Sequence, residues 1–75
     1  MAAVPVKADI AGSIWKILMK PGDAVRAEDV ILIMESMKME IEVTAPSDGK
    51  IAEIHVKEGD LVQEGDTIVT LDSAG

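Results

Sequence analysis

Seventy-five residues make a single domain, 1–75, whose interior is too small for both a substrate pocket and a catalytic apparatus; 48% hydrophobic and 28% charged residues mark a folding globular chain, not a disordered tail. Fourteen acidic against seven basic side chains, net charge -7, repel nucleic acid and anionic lipid, and the lone aromatic, Trp15, cannot build a base-stacking platform. The absence of cysteine removes disulfides, thiolate metal sites and thiol nucleophiles and fits a reducing, cytoplasmic setting; the longest apolar run, Val30 to Met34, falls far short of the roughly 20 residues that span a bilayer.

Sliding the chain against itself by 37 positions aligns 4–34 with 41–71 without a gap and gives eleven identities in 31 columns, including Gly12/Gly49, Gly22/Gly59, Asp23/Asp60 and Asp29/Asp66. Because apolar positions match as well as turn residues, the two halves read as copies of one unit. In chain order, Val4, Val6 and Ala8, repeated as Ile41, Val43 and Ala45, alternate with a period of two and predict a half-buried strand. A glycine follows. The next strand carries Ile14, Ile17 and Met19, or Ile51, Ile54 and Val56, spaced three and then two, which predicts a β-bulge at Trp15-Lys16 and at Ala52-Glu53. Pro21-Gly22-Asp23 and Glu58-Gly59-Asp60 supply turns with positive φ. A brief strand through Val25 or Val62, a second turn at Glu28-Asp29 or Gly65-Asp66, and an apolar strand over Val30–Met34 or Thr67–Leu71 complete each half.

No stretch carries a 3.6-residue apolar stripe, so the predicted class is all-β. One half cannot bury its apolar face alone. Pairing it with its copy about a pseudo-twofold axis predicts a flattened eight-strand barrel or sandwich, with the connection between halves at the end opposite the termini.

That connection reads Met34-Glu35-Ser36-Met37-Lys38-Met39-Glu40-Ile41 and must reverse in about two residues near Met37 and Lys38. Two-residue hairpins favour Asn-Gly because both positions need positive φ, yet nothing here is Gly, Asn, Asp or Pro. A chain that uses glycine at other turns and Met-Lys at this one accepts a folding cost, which points to function. An exposed lysine is ordinarily a solvated charge and methionines ordinarily fill cores. The conjunction singles them out: Lys38 at the inter-repeat turn, between two methionines, where little core is to be filled.

The stretch ESMKME, centred on Lys38 between two such half-repeats, resembles the attachment motif of the biotinyl domain family, usually written Ala-Met-Lys-Met, and the resemblance covers essentially the whole chain. It implies the barrel-sandwich hybrid fold and biotin held as a covalent amide on Lys38, with Met37 and Met39 as the flanking pair and Ser36 where the commonest motif has Ala. It further implies a non-catalytic, cytoplasmic, monomeric carrier, modified by a biotin protein ligase and moving carboxyl groups between biotin carboxylase and carboxyltransferase sites. An ordinary solvated lysine amine is protonated at neutral pH, so the ligase must supply the base, and amide formation takes the formal charge from -7 to -8. The gapless repeat leaves no room for the thumb of bacterial acetyl-CoA carboxylase carriers. The chain is more similar to thumbless carriers of propionyl-, methylcrotonyl- and urea-type carboxylases and to free-standing biotin attachment proteins. Residues 1–3 and 72–75 are too short for swinging linkers, so a stand-alone carrier or a domain of a longer protein is expected.

Two rival readings share the fold. A lipoyl domain also places its lysine on this hairpin but usually has Asp before it and a small residue after it, where this chain has methionine on both sides. An unmodified module, like the hairpin-borne domains of efflux adaptors, would not be expected to keep Met-Lys-Met. Glu35, Glu40 and Glu42 are candidates for recognition by a ligase, together with Ser36. The second half carries nine of the fourteen acids, so a basic partner is expected there. His55, with no second histidine near it in sequence, reads as solvated and not as a metal ligand, and Trp15 as a partly buried residue at the bulge.

Overall fold

The protein is described here over residues 3–73 of a computed structural model; 1–2 and 74–75, the outer parts of the short tails, lie outside the described residues. Eight strands follow in order: β1 (Ala3–Lys7), β2 (Gly12–Ile17), β3 (Ala24–Val25), β4 (Val30–Ser36), β5 (Met39–Thr44), β6 (Gly49–Ile54), β7 (Leu61–Val62) and β8 (Thr67–Ser73). No helix occurs among the described residues. They form two antiparallel four-stranded sheets, ordered β1-β8-β6-β3 and β5-β4-β2-β7. This is the expected all-β barrel-sandwich with one correction: it does not close into a barrel. Every ladder stays within its own sheet, and the edge strands β3 and β7 are two residues long, too short to carry pairing round to the other sheet.

The registers of the two sheets are related by the same offset of 37. Val4↔Leu71 corresponds to Ile41↔Met34, and Ile54↔Val69 to Ile17↔Leu32. Each sheet draws strands from both halves, so the halves interlock. The bulges read from the spacing of three are present, with register shifts between Ile14 and Lys16 and between Ile51 and Glu53. A second pair of shifts, between Val30 and Leu32 and between Val6 and Lys7, has no counterpart in the sequence reading. It accompanies two successive buried residues, Ile31-Leu32 in β4 and Ile68-Val69 in β8, where strict alternation would expose one of each. The strands expected to reach Met19 and Val56 stop at Ile17 and Ile54, although both side chains still pack on the core.

Turn chemistry repeats with equal fidelity. Gly22 and Gly59 have φ of 96° and 94°, as their turns require. Asp23 Oδ2 accepts from the Lys20 amide at 3.0 Å, and Asp60 Oδ2 from the Lys57 amide at 2.9 Å. Asp29 and Asp66 do the same for Arg26 and Gln63. These local bonds satisfy backbone donors where the strands end. The core between the sheets is aliphatic, with Ile14, Ile31, Leu32, Met34, Ile51, Ile68, Val69 and Leu71 fully buried.

Two topological facts place the connection between halves. The β4–β5 hairpin occupies in its sheet the position that the start of β1 and the end of β8 occupy in the other, since Glu35↔Glu40 is the counterpart of Asp72↔Ala3. Strand β2 leaves the hairpin end at Gly12; beyond Ile17 the chain turns into β3, which pairs with Gly49 and Lys50 beside Ser73 and Asp72. The hairpin and the outermost described residues, Ala3 and Ser73, therefore lie at opposite ends of a molecule 36 Å long.

Candidate functional site

Strands β4 and β5 pair down to Ser36↔Met39, leaving Met37 and Lys38 as the two residues of the turn. Their φ angles are 53° and 66°, positive at both central positions as in a type I′ hairpin. Neither residue is suited to that region, which costs an L side chain roughly 1–2 kcal/mol. Met37 is 88% exposed and Met39 64%, so both methionines stand in solvent rather than in the core, and Lys38 between them is exposed too. Alternation along β4 and β5 assigns the remaining positions. Met34 and Ile41 pair on the inner face, while Glu35 and Glu40 pair on the outer face one step below the tip, and Ile33 and Glu42 pair next. Among the described residues no lysine or arginine lies within ion-pair distance of Glu35, Glu40 or Glu42. Two like charges directly opposite across a ladder work against it.

Ser36, named with the acids as a recognition candidate, faces inward instead. It is 9% exposed, and its hydroxyl donates to the Ala11 carbonyl at 2.8 Å, tying the hairpin base to the β1–β2 connection. Gly12 makes that approach possible: a Cβ there would lie 2.6 Å from the Glu35 carbonyl oxygen and 3.1 Å from the Ser36 Cβ. Neither Ala11 nor Gly12 carries a signal in sequence that it braces residues some 25 positions away.

The other candidates lie apart from the tip. His55 is more than solvated: its Nε2 is 2.7 Å from Thr70 Oγ1 and its Nδ1 is 3.4 Å from Glu53 Oε2, so it links neighbouring strands. Among the described residues no cluster of three or more metal-ligating side chains exists. Trp15 sits at the bulge, 49% exposed. The connection from β2 to β3 is six residues long, as is that from β6 to β7, so no thumb is inserted.

What this arrangement offers chemically is a primary amine on a strained, protruding tip, flanked by two flexible apolar side chains and backed by carboxylates. An amine so placed suits covalent attachment of an acyl group by another enzyme. Among the described residues its amine makes no hydrogen bond or ion pair.

Comparison with known proteins is consistent with that geometry. Residues 3–71 match the model of the biotin/lipoyl family described as "Biotin-requiring enzyme". The chain is 43% identical over 47 residues to the alpha subunit of rat methylcrotonoyl-CoA carboxylase, covering 63% of this chain and 7% of that one. It is 41% identical over 49 residues to the biotin/lipoyl attachment protein of Bacillus subtilis, covering 65% of this chain and 67% of that one. Among solved structures, the urea carboxylase of Kluyveromyces lactis superposes with a TM-score of 0.91 at 35% identity, over 96% of this chain and 6% of that one. The lipoyl domain of the Azotobacter vinelandii 2-oxoglutarate dehydrogenase complex superposes with a TM-score of 0.74 at 38% identity, over 87% of this chain and 82% of that one. The fold is thus common to biotinyl and lipoyl domains, and the chain spans only a small part of the carboxylases it matches. It belongs to the biotin/lipoyl family and is a biotinyl domain.

Proposed function

We propose that the domain is a biotin carboxyl carrier in which a biotin protein ligase acylates Lys38, and which presents that residue in turn to a biotin carboxylase and a carboxyltransferase. The observation that carries this reading is the tip itself: Lys38 on a two-residue turn with positive φ at both positions and an exposed methionine on each side. The site fits the group, because a solvated amine at the end of an elongated molecule can enter a second protein's active site without the sheets entering with it. Biotin, when bound, supplies the ureido nitrogen on which a carboxyl group is carried. Everything else asked of the chain is presentation.

Met37 and Met39 bracket the amine with apolar surface that a ligase can cover, and an unbranched thioether adapts to more than one partner. Glu35, Glu40 and Glu42 form an acidic outer face beside the tip that suits a basic rim on the ligase. Ser36 holds the hairpin base from within. Met-Lys-Met favours biotin over lipoate. A single biotinyl domain over 1–75, a monomeric state and a cytoplasmic setting are part of the same proposal, as is a purely carrying role for the domain.

The test is to co-express the chain with a biotin protein ligase and map the modification by mass spectrometry. Biotin on Lys38, capture by streptavidin, no reaction with an anti-lipoate reagent and loss of all label in Lys38→Arg are expected. Label retained on Lys7, Lys16, Lys20, Lys50 or Lys57 contradicts the site, and lipoate on Lys38 in cells able to attach either group contradicts the cofactor.

A further inference from the structure

Because the two halves share one fold and one register, each position of one half shows what the fold accepts at the matching position of the other. Differences near the hairpin are therefore informative. Across the outer face of the hairpin-bearing sheet the register aligns Glu40, Glu35, Ser13 and Leu61 in one row; the matching row of the other sheet is Ala3, Asp72, Lys50 and Ala24. Ser13 thus stands where its counterpart is the long Lys50, and Leu61, 84% exposed, where its counterpart is Ala24. Ala11 stands where the other half has Asp48, whose carboxylate accepts from the Ala27 amide at 2.8 Å. The shortened Ser13 within the row, the missing carboxylate at Ala11 and the added apolar Leu61 at the edge leave a shallow groove of about 510 Å³ beside the tip.

The groove is lined by Met37, Leu61 and Ala11 as apolar groups and by Ser13, Gln63 and Glu35 as polar ones. Among the described residues the Ser13 hydroxyl and the Gln63 side chain make no hydrogen bond within the chain, so both are free for a ligand. The fold does not need a leucine at this position, since Ala24 serves at the equivalent place. A wall so constructed, next to Lys38, offers apolar contact and free polar groups side by side.

We infer that this groove is the resting seat of the biotinyl group carried by Lys38, with its fused ring against Leu61 and Met37 and its ureido edge toward Ser13 and Gln63. The inference rests on the carrier reading above and adds the residues that would hold the arm between transfers. The reach is adequate: Met37 adjoins Lys38, β7 stands two strand spacings or about 10 Å from β4, and a lysyl side chain continued by a valeryl chain extends about 12 Å over ten bonds. The groove is open, and a seat that must release its occupant to two enzymes cannot enclose it. Reversible seating keeps an otherwise free apolar ring from solvent and leaves Lys38 mobile.

The experiment uses the whole chain in its unmodified and biotinylated forms, with isotope labelling of leucine and methionine methyl groups and of the backbone amides. Mass spectrometry first establishes whether Lys38 carries biotin; a chain that gains none overturns the carrier reading and the seat with it. With biotin in place, ring-proton nuclear Overhauser contacts to the Leu61 methyls and the Met37 methyl are expected, with amide shift changes at Ser13 and Gln63. In Leu61→Ala, which copies the residue the fold already uses at position 24, the ring contacts to the Met37 methyl and the shift changes at Ser13 and Gln63 should vanish while Lys38 is biotinylated as before. Shift changes confined to residues 36–40, or Met37 contacts and Ser13 and Gln63 shifts unaltered in Leu61→Ala, overturn the seat and leave the carrier reading standing.

Discussion

Among the described residues three non-glycine residues have positive φ: Glu28, Met37 and Lys38. Glu28, at φ 73°, matches Gly65 at φ 90°, so one half meets the same backbone demand with a residue that suits it and the other with one that does not. Glu28→Gly should therefore stabilise the domain by about 0.5–1 kcal/mol, and Gly65→Ala should destabilise it by about 1 kcal/mol or more, as read from urea unfolding midpoints. The turn at Glu28-Asp29 was legible in the sequence; that Glu28 is held against its preference followed only from alignment with a glycine. At the tip the same reasoning separates folding from function. Met37→Gly relieves one residue of left-handed strain and should stabilise by about 1 kcal/mol, yet it removes apolar surface offered to the ligase and should slow biotin incorporation. A variant that is both more stable and equally well modified would mean that Met37 is not held there for recognition.

At the scale of elements, the hairpin depends on what lies beneath it. Gly12→Ala would place a methyl group 2.6 Å from the Glu35 carbonyl oxygen, a contact that backbone alone can relieve by moving β4 away from β2. We expect a loss of stability above the ~1 kcal/mol of an unstrained Gly change and a slower modification of Lys38, measured by unfolding and by ligase assay on one preparation. Ser36→Ala removes one hydrogen bond to Ala11 and should cost about 1 kcal/mol, with the hairpin amides exchanging faster than those of β8. The sequence placed the bulges at Trp15 and Ala52 because an odd apolar spacing is visible in one strand. It did not reveal those opposite Ile31 and Ile68, where continuous apolar runs look alike whether or not the strand is kinked. The direction of Ser36 was hidden for a related reason: whether a residue near a strand end is buried depends on distant Ala11 and Gly12.

For the whole molecule, repeat and register go together, and pairing strands from both halves in each sheet leaves neither half able to complete a sheet. Separate peptides 1–38 and 39–75 should each lack β-sheet signal in circular dichroism, where a folded half would show that the halves are independent. Symmetry also explains why so much of the fold was legible, since two readings of each strand and turn were available. The separation of the two sheets was not, because barrel closure is decided by the pairing of the short edge strands β3 and β7, which composition and periodicity leave open. Where the halves diverge, at the tip, along Glu35 and Glu40, and at Ser13 and Leu61, the fold exerts no demand and function has room. The most direct test of the central claim, that position makes Lys38 the acceptor, is to exchange Met37 with Lys38. Both positions are exposed and both have positive φ, so composition, charge and turn geometry are retained while the amine moves by up to about 3.5 Å. The initial rate of biotin incorporation, measured after circular dichroism has established equal folding, should fall by orders of magnitude, because a ligase aligns its acceptor at about 3 Å. Equal rates in the exchanged and parent chains would contradict the claim and leave Lys38 an ordinary solvated charge.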